Sequence, residues 1–342
     1  MRIGITFDLK GDAPADDPLA PDDLQEEFDS PETIDALASV LRDLGHEVVL
    51  LGDGRPMLER LLADPPDFVF NIAEGHGVSR SREARVPAVL EMLDIPFTGS
   101  DPLTMAATLD KECARRLVAD DGLNVPHGCV IDADTDPRDI ASQIIFPAIA
   151  KPTWEGSSKG IRNNCLMQSG DELVDVVEML RRDQRQPILV EEFIQGDEVT
   201  VGMVGNDPPA IVAMMRVIPK KPVEQFVYSL EIKRDFRRLV DYQVPPKLPP
   251  ATIRAIERAA RTAFRALGCR DVSRIDFRLR RGVPYFLEVN PLPGLHPRDS
   301  DLVIMADMVG WTYAQLIERI LSAALDRLQT DRLTKAAVAA AL

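Results

Sequence analysis

The chain has 342 residues, of which 45% are hydrophobic and 28% are charged, a composition typical of a soluble globular protein with two or three domains. Its net charge of -15 argues against nucleic acid as a partner, because binding a phosphate backbone needs a basic surface. The four separated cysteines predict reduced thiols without a zinc site or disulfide framework. No apolar run approaches the ~18 residues of a membrane span. We therefore expect a cytoplasmic protein with no membrane partner.

The first third of the chain alternates strands and helices in its hydrophobic pattern. This βαβ order predicts a parallel, doubly wound sheet whose ligands lie beyond the carboxyl ends of the strands. Residues 8–32 are rich in Asp, Glu and Pro and predict a long acidic loop, either a mobile solvated segment or a lid over a site. The predicted strands are 2–7, 47–51 and 67–71, and the predicted helices are 30–44 and 58–62.

The rest of the chain mixes strands and helices in a less regular order. A basic segment covers 220–238, and the Ala-rich tail beyond Thr334 is expected to be frayed or disordered. Predicted helices are 108–121, 171–183, 251–267 and 311–328, and predicted strands are 125–131, 144–151, 188–192 and 199–205.

Residues 273–290 predict two strands joined by a turn near Arg281-Gly282. Successive side chains on a strand point to opposite faces. One face of the first strand is therefore expected to carry Ile275, Phe277 and Leu279, and the other Arg274, Asp276 and Arg278. On the second strand, Tyr285, Leu287 and Val289 are expected to share a face opposite Glu288 and Asn290.

The polar face of this hairpin predicts a metal-phosphate site. With a three-residue loop, Asp276 lies across from Glu288, and Arg274 lies across from Asn290. Oxygen ligands of this kind suit Mg²⁺, which fills its remaining positions with water and phosphate oxygens. The alternative is a surface hairpin whose charges are simply solvated.

Two further segments have the character of a nucleotide site. Residues 146–160 predict a strand that runs into a Gly/Ser-rich loop. Small residues there let backbone N–H groups approach an anion, and Lys151 and Lys159 add donors. The spacing of the glycines and the lysine is not that of a P-loop. Residues 188–200 form a strand, a short link and a second strand, which could offer backbone groups to adenine and Glu198 to a ribose. The alternatives are a plain flexible loop and an ordinary hairpin with exposed acids.

Taken in order, these segments resemble the ATP-grasp superfamily and, within it, the D-alanine–D-alanine ligases. The motifs that carry the resemblance are Phe-Asn-Ile-Ala-Glu-Gly (70–75), Ile-Pro-Phe-Thr-Gly-Ser (95–100), Leu-Asp-Lys (109–111), Lys-Pro…Glu-Gly-Ser-Ser-Lys-Gly (151–160), Glu-Glu-Phe…Gly-Asp-Glu (191–198), Arg-Ile-Asp-Phe (274–277) and Glu-Val-Asn-Pro-Leu-Pro-Gly (288–294). The resemblance implies an α/β and α+β ATP-grasp fold with an N-terminal doubly wound parallel-sheet domain. The implied division is an N-terminal domain (1–107), a central subdomain with the phosphate loop (108–190), a C-terminal subdomain with the Mg²⁺ site (191–330) and a flexible tail (331–342).

The resemblance also implies how ATP is held. Lys111 and Lys151 would contact its phosphates, and Ser157 and Ser158 would lie in the loop that closes over them. Lys233 matches the lysine of a mobile loop that folds onto ATP. The adenine and ribose would be held by Glu191, Glu192, Phe193, Ile194 and Glu198.

Metal and catalytic roles follow from the same resemblance. Two Mg²⁺ ions, replaceable by Mn²⁺, would bind Asp276, Glu288 and Asn290. Arg274 would steady an acyl phosphate and a tetrahedral intermediate, with Ser157 and Lys233 as the other implied catalytic residues.

The substrate side departs from the family pattern. Glu74 stands where the family has a histidine, and Arg234 stands where it has a tyrosine. Additional arginines fit an acidic or longer substrate, or are surface residues: Arg82, Arg85, Arg234 and Arg298. The candidate substrate contacts are Glu26 or its neighbour Glu27, Glu74, Arg274, Gly294 and Ser300.

The implied activity is an ATP-dependent carboxylate–amine ligase that forms a dipeptide through an acyl phosphate and releases ADP and phosphate. The alternatives are a ligase for other amino acids or peptides, an ATP-grasp kinase of small molecules, and a nucleotide-binding regulatory protein. The implied partners are small amino acids, and family members are commonly homodimers.

Overall fold

The computed structural model describes residues 1–11 and 21–341, with side chains described up to residue 331. Its N-terminal part contains a three-stranded parallel sheet in the order β2-β1-β3, which confirms the predicted βαβ alternation. Ser30 begins the first helix by accepting a hydrogen bond from the backbone N–H of Thr33 at 3.2 Å. The elements are β1 (Arg2–Thr6), α1 (Pro31–Asp43), β2 (Glu47–Leu50), α2 (Gly54–Ala63), β3 (Phe68–Asn71) and α3 (Arg85–Met92).

The central part packs a four-stranded antiparallel sheet, in the order β4-β7-β5-β6, against one long helix. The predicted helix 108–121 is wrong in one respect, because two helices meet at Asp110. The Asp110 side chain accepts a hydrogen bond from the backbone N–H of Cys113 and so begins the second helix. The elements are α4 (Pro102–Leu109), α5 (Lys111–Asp120), β4 (Gly128–Ile131), α6 (Pro137–Ile140), β5 (Ala148–Pro152), β6 (Leu166–Met167), α7 (Gly170–Gln184) and β7 (Ile188–Glu192).

The C-terminal part is built on a five-stranded antiparallel sheet in the order β10-β9-β8-β11-β12. One face of this sheet packs on α5 and α10, and the other packs with α11, α12 and the N-terminal sheet in a second core. The elements are β8 (Asp197–Val204), β9 (Ala210–Pro219), α8 (Leu230–Arg234), α9 (Phe236–Leu239), β10 (Val240–Gln243), α10 (Pro250–Ala266), β11 (Val272–Arg280), β12 (Val283–Asn290), α11 (Asp301–Met308) and α12 (Tyr313–Ala341).

The hairpin β11–β12 has the predicted pairing but not the predicted loop. Its turn has two residues, Arg281 and Gly282, both with positive φ (52° and 80°), because Arg280 pairs with Val283. A bulge between Asp276 and Phe277 then shifts the register by one residue. Asp276 therefore lies opposite Glu288, and Arg274 lies opposite Asn290.

The same bulge changes which side chains of β12 face the core. Phe286 and Val289 are buried among apolar residues, whereas Leu287 lines a cavity beside Glu288. The expectation that Tyr285, Leu287 and Val289 share one face is thus wrong, since a bulge places an extra residue in the alternation. The expectation for β11 is confirmed, because Ile275, Phe277 and Leu279 are all buried in the core.

The predicted domain division remains a prediction, and β7 lies across its 190/191 boundary. The last helix continues to Ala341, so the segment predicted as a frayed tail is helical there, as its alanines favour. Of the predicted acidic loop 8–32, residues 12–20 lie outside the described residues. Within the described part of the chain, no helix has the length and apolar character needed to cross a membrane.

Candidate active site

A cleft between the central and C-terminal sheets holds the predicted site residues. We call the cavity in this cleft the inter-sheet cavity, and its volume is about 760 Å³ including its open mouth. It is lined by the predicted residues Lys151, Ser158, Glu191, Glu192, Phe193, Ile194, Glu198, Lys233, Arg274, Asp276 and Glu288.

Two further cavities adjoin it and contain the remaining predicted residues. The first, which we call the acidic-loop cavity, shares Lys233 and Arg274 with the inter-sheet cavity. The second, the lysine cavity, shares Glu288 with the inter-sheet cavity. The acidic-loop cavity is lined by Glu26, Glu74, Ser157, Asn290, Gly294 and Ser300, and the lysine cavity by Lys111, Glu74, Ser157 and Asn290.

Carboxylates and cations meet on the polar face of the β11–β12 hairpin. The Arg274 guanidinium lies 3.0 Å from Asp276 and 3.6 Å from Glu288, and Lys111 Nζ lies 3.3 Å from Glu288. Burial opposes ionisation of Glu288, but Lys111, Arg274 and Lys151 together lower its pKa to about 2. Glu288 is therefore a carboxylate at neutral pH.

Asp276 has the burial and hydrogen bonding expected of a metal ligand. Its side chain is 12% exposed, and Oδ1 is buried without a hydrogen-bond partner. Burial raises the pKa of Asp276, Arg274 opposes this rise, and the Glu288 carboxylate adds to it. The oxygen of Asn290, which accepts a hydrogen bond from the backbone N–H of Leu292 at 3.0 Å, completes an oxygen-only set that fits Mg²⁺.

The Gly/Ser-rich loop after β5 has the backbone shape expected for anion binding. Ser157 and Ser158 both have positive φ (50° and 61°), an uncommon conformation for residues other than glycine that is often found at functional sites. Lys151, near the end of β5, forms an ion pair with Glu191 on β7 at 2.6 Å. Lys159 pairs with two carboxylates, since its ammonium lies 2.6 Å from Glu155 and 3.0 Å from Glu27.

The link between β7 and β8 is fixed by Arg278, which sequence analysis left without a role. Its guanidinium donates to the backbone oxygens of Ile194 (2.6 Å) and Gly196 (2.9 Å). It also pairs with Glu198 at 2.9 Å and lies 4.3 Å from the centre of the Phe193 ring. The signal for this role was the alternation of β11, which predicted Arg278 on the polar face.

Glu192 and Glu198 occupy different electrostatic surroundings. Burial raises the pKa of Glu198 to about 7, although Arg278 opposes the rise. Glu192 lies at the edge of the cavity, where Arg280 pairs with its carboxylate at 2.7 Å and the backbone N–H of His127 donates to it at 3.1 Å. Of the two carboxyl groups, Glu198 is thus the one whose pKa is raised towards neutral pH.

Lys233 lies on α8 between the inter-sheet and acidic-loop cavities. Burial lowers its pKa, and the neighbouring Arg274 lowers it further. Asp301, which sequence analysis missed, lines both cavities and lies 3.5 Å from Arg274. Its position in the sequence, in a polar run before a helix, gave no signal of this contact.

The described part of the acidic loop contacts both the phosphate loop and α8. Glu26 pairs with Arg234 at 2.8 Å. The buried Glu27 pairs with Arg82 and with Lys159, both at 3.0 Å. The two alternatives, Glu26 and Glu27, therefore both border the acidic-loop cavity, and each already has a cationic partner.

The additional arginines are all engaged by protein groups. Arg82 is buried between Glu27 and Glu155, and Arg234 pairs with Asp22 and Glu26. Arg298 pairs with Glu32 at 2.7 Å, and Arg85 donates to the backbone oxygen of His76 at 2.9 Å. The structure therefore offers no support for these arginines as free binding groups for an acidic substrate.

Glu74 differs from these acids because, within the described residues, its carboxylate has no hydrogen bond or ion pair. It lines both the acidic-loop and the lysine cavities. Burial raises the pKa of Glu74 well above its usual value, and the nearby Glu83 and Glu27 carboxylates raise it further. Ser300 lines the acidic-loop cavity as well. Its Oγ accepts a hydrogen bond from the backbone N–H of His296 at 2.9 Å, and Gly294 packs close to it.

Comparisons with known proteins agree with this architecture. A family model described as D-ala D-ala ligase C-terminus matches residues 117–322. The D-alanine–D-alanine ligase of Aquifex aeolicus is 33% identical over 84% of this chain and 92% of that protein, and an uncharacterized protein, y4sG, of Sinorhizobium fredii is 33% identical over 85% and 86%.

Solved structures show the same fold. The D-alanine–D-alanine ligase of Bacillus anthracis complexed with ATP has a TM-score of 0.73 at 21% identity, covering 97% of this chain and 99% of that one. The VanG D-Ala:D-Ser ligase of Enterococcus faecalis has a TM-score of 0.70 at 20% identity, covering 94% and 99%. The predicted ATP-grasp architecture, with its parallel N-terminal sheet, is confirmed.

Proposed function

The chain belongs to the D-alanine–D-alanine ligase family, and we propose that it joins the carboxylate of one amino acid to the amine of a second, with cleavage of ATP to ADP and phosphate. The observation that carries this proposal is the group of Arg274, Asp276, Glu288 and Lys111 between two sheets. Such a group neutralises the charge that accumulates when a carboxylate meets a triphosphate.

The chemistry needs positioning and charge neutralisation more than a covalent nucleophile. A carboxylate is a poor electrophile at neutral pH, so transfer of the γ-phosphoryl group to it creates an acyl phosphate that an amine can attack. Lys111 and Lys151 would hold the phosphates, and the loop containing Ser157 and Ser158 would cover them. Arg274 would stabilise the negative charge on the acyl phosphate and the tetrahedral intermediate.

Asp276, Glu288 and Asn290 would hold Mg²⁺. The partnerless Oδ1 of Asp276 and the ionised Glu288 support this assignment. When bound, Mg²⁺ would neutralise charge on the phosphate oxygens. The number of ions, and their replacement by Mn²⁺, are part of the same proposal.

The nucleoside part of ATP would occupy the inter-sheet cavity. The link from Glu191 through Ile194 would face adenine, and Glu198 would bind the ribose. Arg278 supports this arrangement because it holds the link and Glu198 together through four contacts, two of them to backbone oxygens. A homodimer and a cytoplasmic location are expected of the family and remain predictions.

D-alanine is the default substrate of the family, and its use by this chain rests on family membership alone. A second candidate is a ligase of the same mechanism for other amino acids or peptides. Two features favour it: the unpaired Glu74 where the family has histidine, and Arg234 where the family has tyrosine, here paired with the acidic loop.

The test is ADP release by the purified protein with ATP and Mg²⁺, first with D-alanine alone and then with a panel of D- and L-amino acids, with products identified by mass spectrometry. D-alanyl-D-alanine in the product would support the first candidate, and another dipeptide would support the second. A phosphorylated product that is stable to added amines would instead indicate a kinase. ATP binding without turnover on any acceptor would refute the ligase proposal.

A further inference from the structure

Three side chains outside the cleft converge at the carboxyl end of the N-terminal parallel sheet. Asp8 follows β1, Asp53 follows β2 and His76 follows β3. One ligand atom from each side chain lies within 4.8 Å of the others. Because ligands of open α/β sheets bind beyond the carboxyl ends of the strands, this convergence lies where such a fold places a binding site.

Asp8 is the buried centre of this group, with 2% of its surface exposed. Its Oδ2 accepts hydrogen bonds from the backbone N–H groups of Glu74 and Gly75, both at 2.8 Å. Its Oδ1 has no hydrogen-bond partner, and the nearest ring nitrogen, Nε2 of His76, lies 2.9 Å away without the alignment of a hydrogen bond. Two ligands of one metal ion lie roughly 3 Å apart, given metal–ligand distances of about 2.1 Å.

Asp53 supports the same interpretation because its side chain does not cap α2. It occupies the position immediately before α2, where an aspartate ordinarily accepts a hydrogen bond from the first turn, yet its side chain makes no such bond. It lies instead beside the Asp8 carboxylate. Burial and the neighbouring Asp53 carboxylate together raise the pKa of Asp8 to about 6. A cation between the two carboxylates would relieve this repulsion.

We propose that Asp8, Asp53 and His76 bind a divalent transition-metal ion such as Zn²⁺. An imidazole with two carboxylates matches the donors that Zn²⁺ takes in proteins, and three protein ligands leave room for water. The His76 side chain is 40% exposed, so an ion can reach the site from solvent. This site is distinct from the Mg²⁺ site on the β11–β12 hairpin, and the proposal does not depend on ligase activity.

The ion would fix three loops at the border of the acidic-loop cavity. The same Asp8 carboxylate that would bind it holds the backbone of Glu74, which lines that cavity. The His76 ring also contacts Phe28 edge-on, at 4.8 Å between ring centres, and Phe28 lines the cavity as well. The expected role is therefore to position this wall of the cavity.

The test is titration of chelator-treated, full-length protein with Zn²⁺ by isothermal calorimetry in the absence of ATP. It is repeated in Glu288→Gln so that the hairpin carboxylates do not contribute. We expect one Zn²⁺ per chain, and at least about 100-fold weaker binding in His76→Ala and in Asp53→Asn, since loss of outer-shell partners alone costs 10–100-fold. Asp8 is left intact because it is buried. His127→Ala, at an exposed histidine elsewhere in the chain, is the matched control.

Co²⁺ provides a second readout, because its visible absorption reports nitrogen and oxygen coordination directly. Co²⁺ bands present in the wild-type protein and in His127→Ala, and lost in His76→Ala, would support the site. Absence of Zn²⁺ binding to the wild-type protein, or unchanged affinity in both variants, would overturn it. In that case the contact at 2.9 Å joins His76 and Asp8 without a metal ion.

Discussion

Replacing Glu288 with glutamine tests whether this residue serves the ligand or the fold. The side chain faces the cleft and is 26% exposed, and glutamine retains its shape while removing its charge. Because the carboxylate lies beside Arg274, Lys111 and Asp276, we expect Glu288→Gln to lose turnover and keep its fold.

The expected loss of stability in Glu288→Gln is moderate, whereas the expected loss of turnover is large. The pKa of Glu288 falls from 4.5 to about 2, which corresponds to about 3 kcal/mol favouring the charged form in the folded state. A lowered carboxyl pKa stabilises the folded state above pH 4.5, and this contribution is lost as pH falls through 2. At pH 7 the variant should therefore lose about 3 kcal/mol of the free energy of unfolding. Turnover should fall by about 10³-fold, as when a preorganised electrostatic contact is lost.

The assay is ADP release at saturating ATP over a range of Mg²⁺ concentrations, together with urea unfolding monitored by circular dichroism. Glu178→Gln is the control, because Glu178 is 57% exposed on α7 and pairs with Arg181 on that helix. It should keep wild-type turnover within about 2-fold, as expected for a surface ion pair. Wild-type turnover with unchanged Mg²⁺ dependence in Glu288→Gln would refute the metal assignment, and an unfolded variant would refute the placement of Glu288 outside the core.

Three further substitutions test the frame around the cleft. Gly196→Ala should lower the free energy of unfolding in urea by more than about 3 kcal/mol, because its Cβ would lie 1.8 Å from a backbone oxygen at φ +144°. The control, Gly45→Ala, has φ +85° and open space around the added Cβ, and should lower it by about 1–2 kcal/mol. Arg82→Met should cost about 3–5 kcal/mol, because the buried carboxylates of Glu27 and Glu155 lose one of their two cations and are left with Lys159. Arg55→Met, 87% exposed, should cost under about 1 kcal/mol. The pKa of Glu198 is raised to about 7, so its contribution to stability is greatest below pH 4.5 and is lost as pH rises through 7. The unfolding temperature of Glu198→Gln should therefore differ less between pH 5 and pH 8 than that of the wild type. Equal differences in the two proteins would contradict the assignment.

The hairpin shows how far alternation in a sequence can predict a site. Asp276 and Glu288 are opposite each other as predicted, although the turn has two residues and a bulge supplies the shift. The sequence could not reveal the bulge, because Tyr285, Phe286 and Leu287 are three successive apolar residues that allow either phase. The bulge lies between the turn and the Asp276–Glu288 pair, and it adds the one residue by which the turn is shorter than the predicted loop. The predicted pairing of Asp276 with Glu288 is therefore correct.

The unpredicted strand β9 has a related cause. Its segment, Ala210–Pro219, is a nearly continuous apolar run, because both of its faces are buried. Met214 belongs to the core shared with α10, and Met215 belongs to the core shared with the N-terminal sheet. A strand buried on both sides lacks the alternation that identifies half-buried strands.

The charges around the acceptor region depend on contacts between distant parts of the chain. Arg82, Arg234 and Arg298 reach carboxylates that are 55, 208 and 266 residues away in the sequence, and no local pattern reveals such pairs. A substrate carboxylate at any of these arginines would have to displace a partner already in place. Glu74 presents the opposite case, since its carboxyl group has a raised pKa and a nearby cation would stabilise its charged form. The balance of charge thus favours a substrate that brings an amino group to Glu74 over one that brings an additional acid to the arginines.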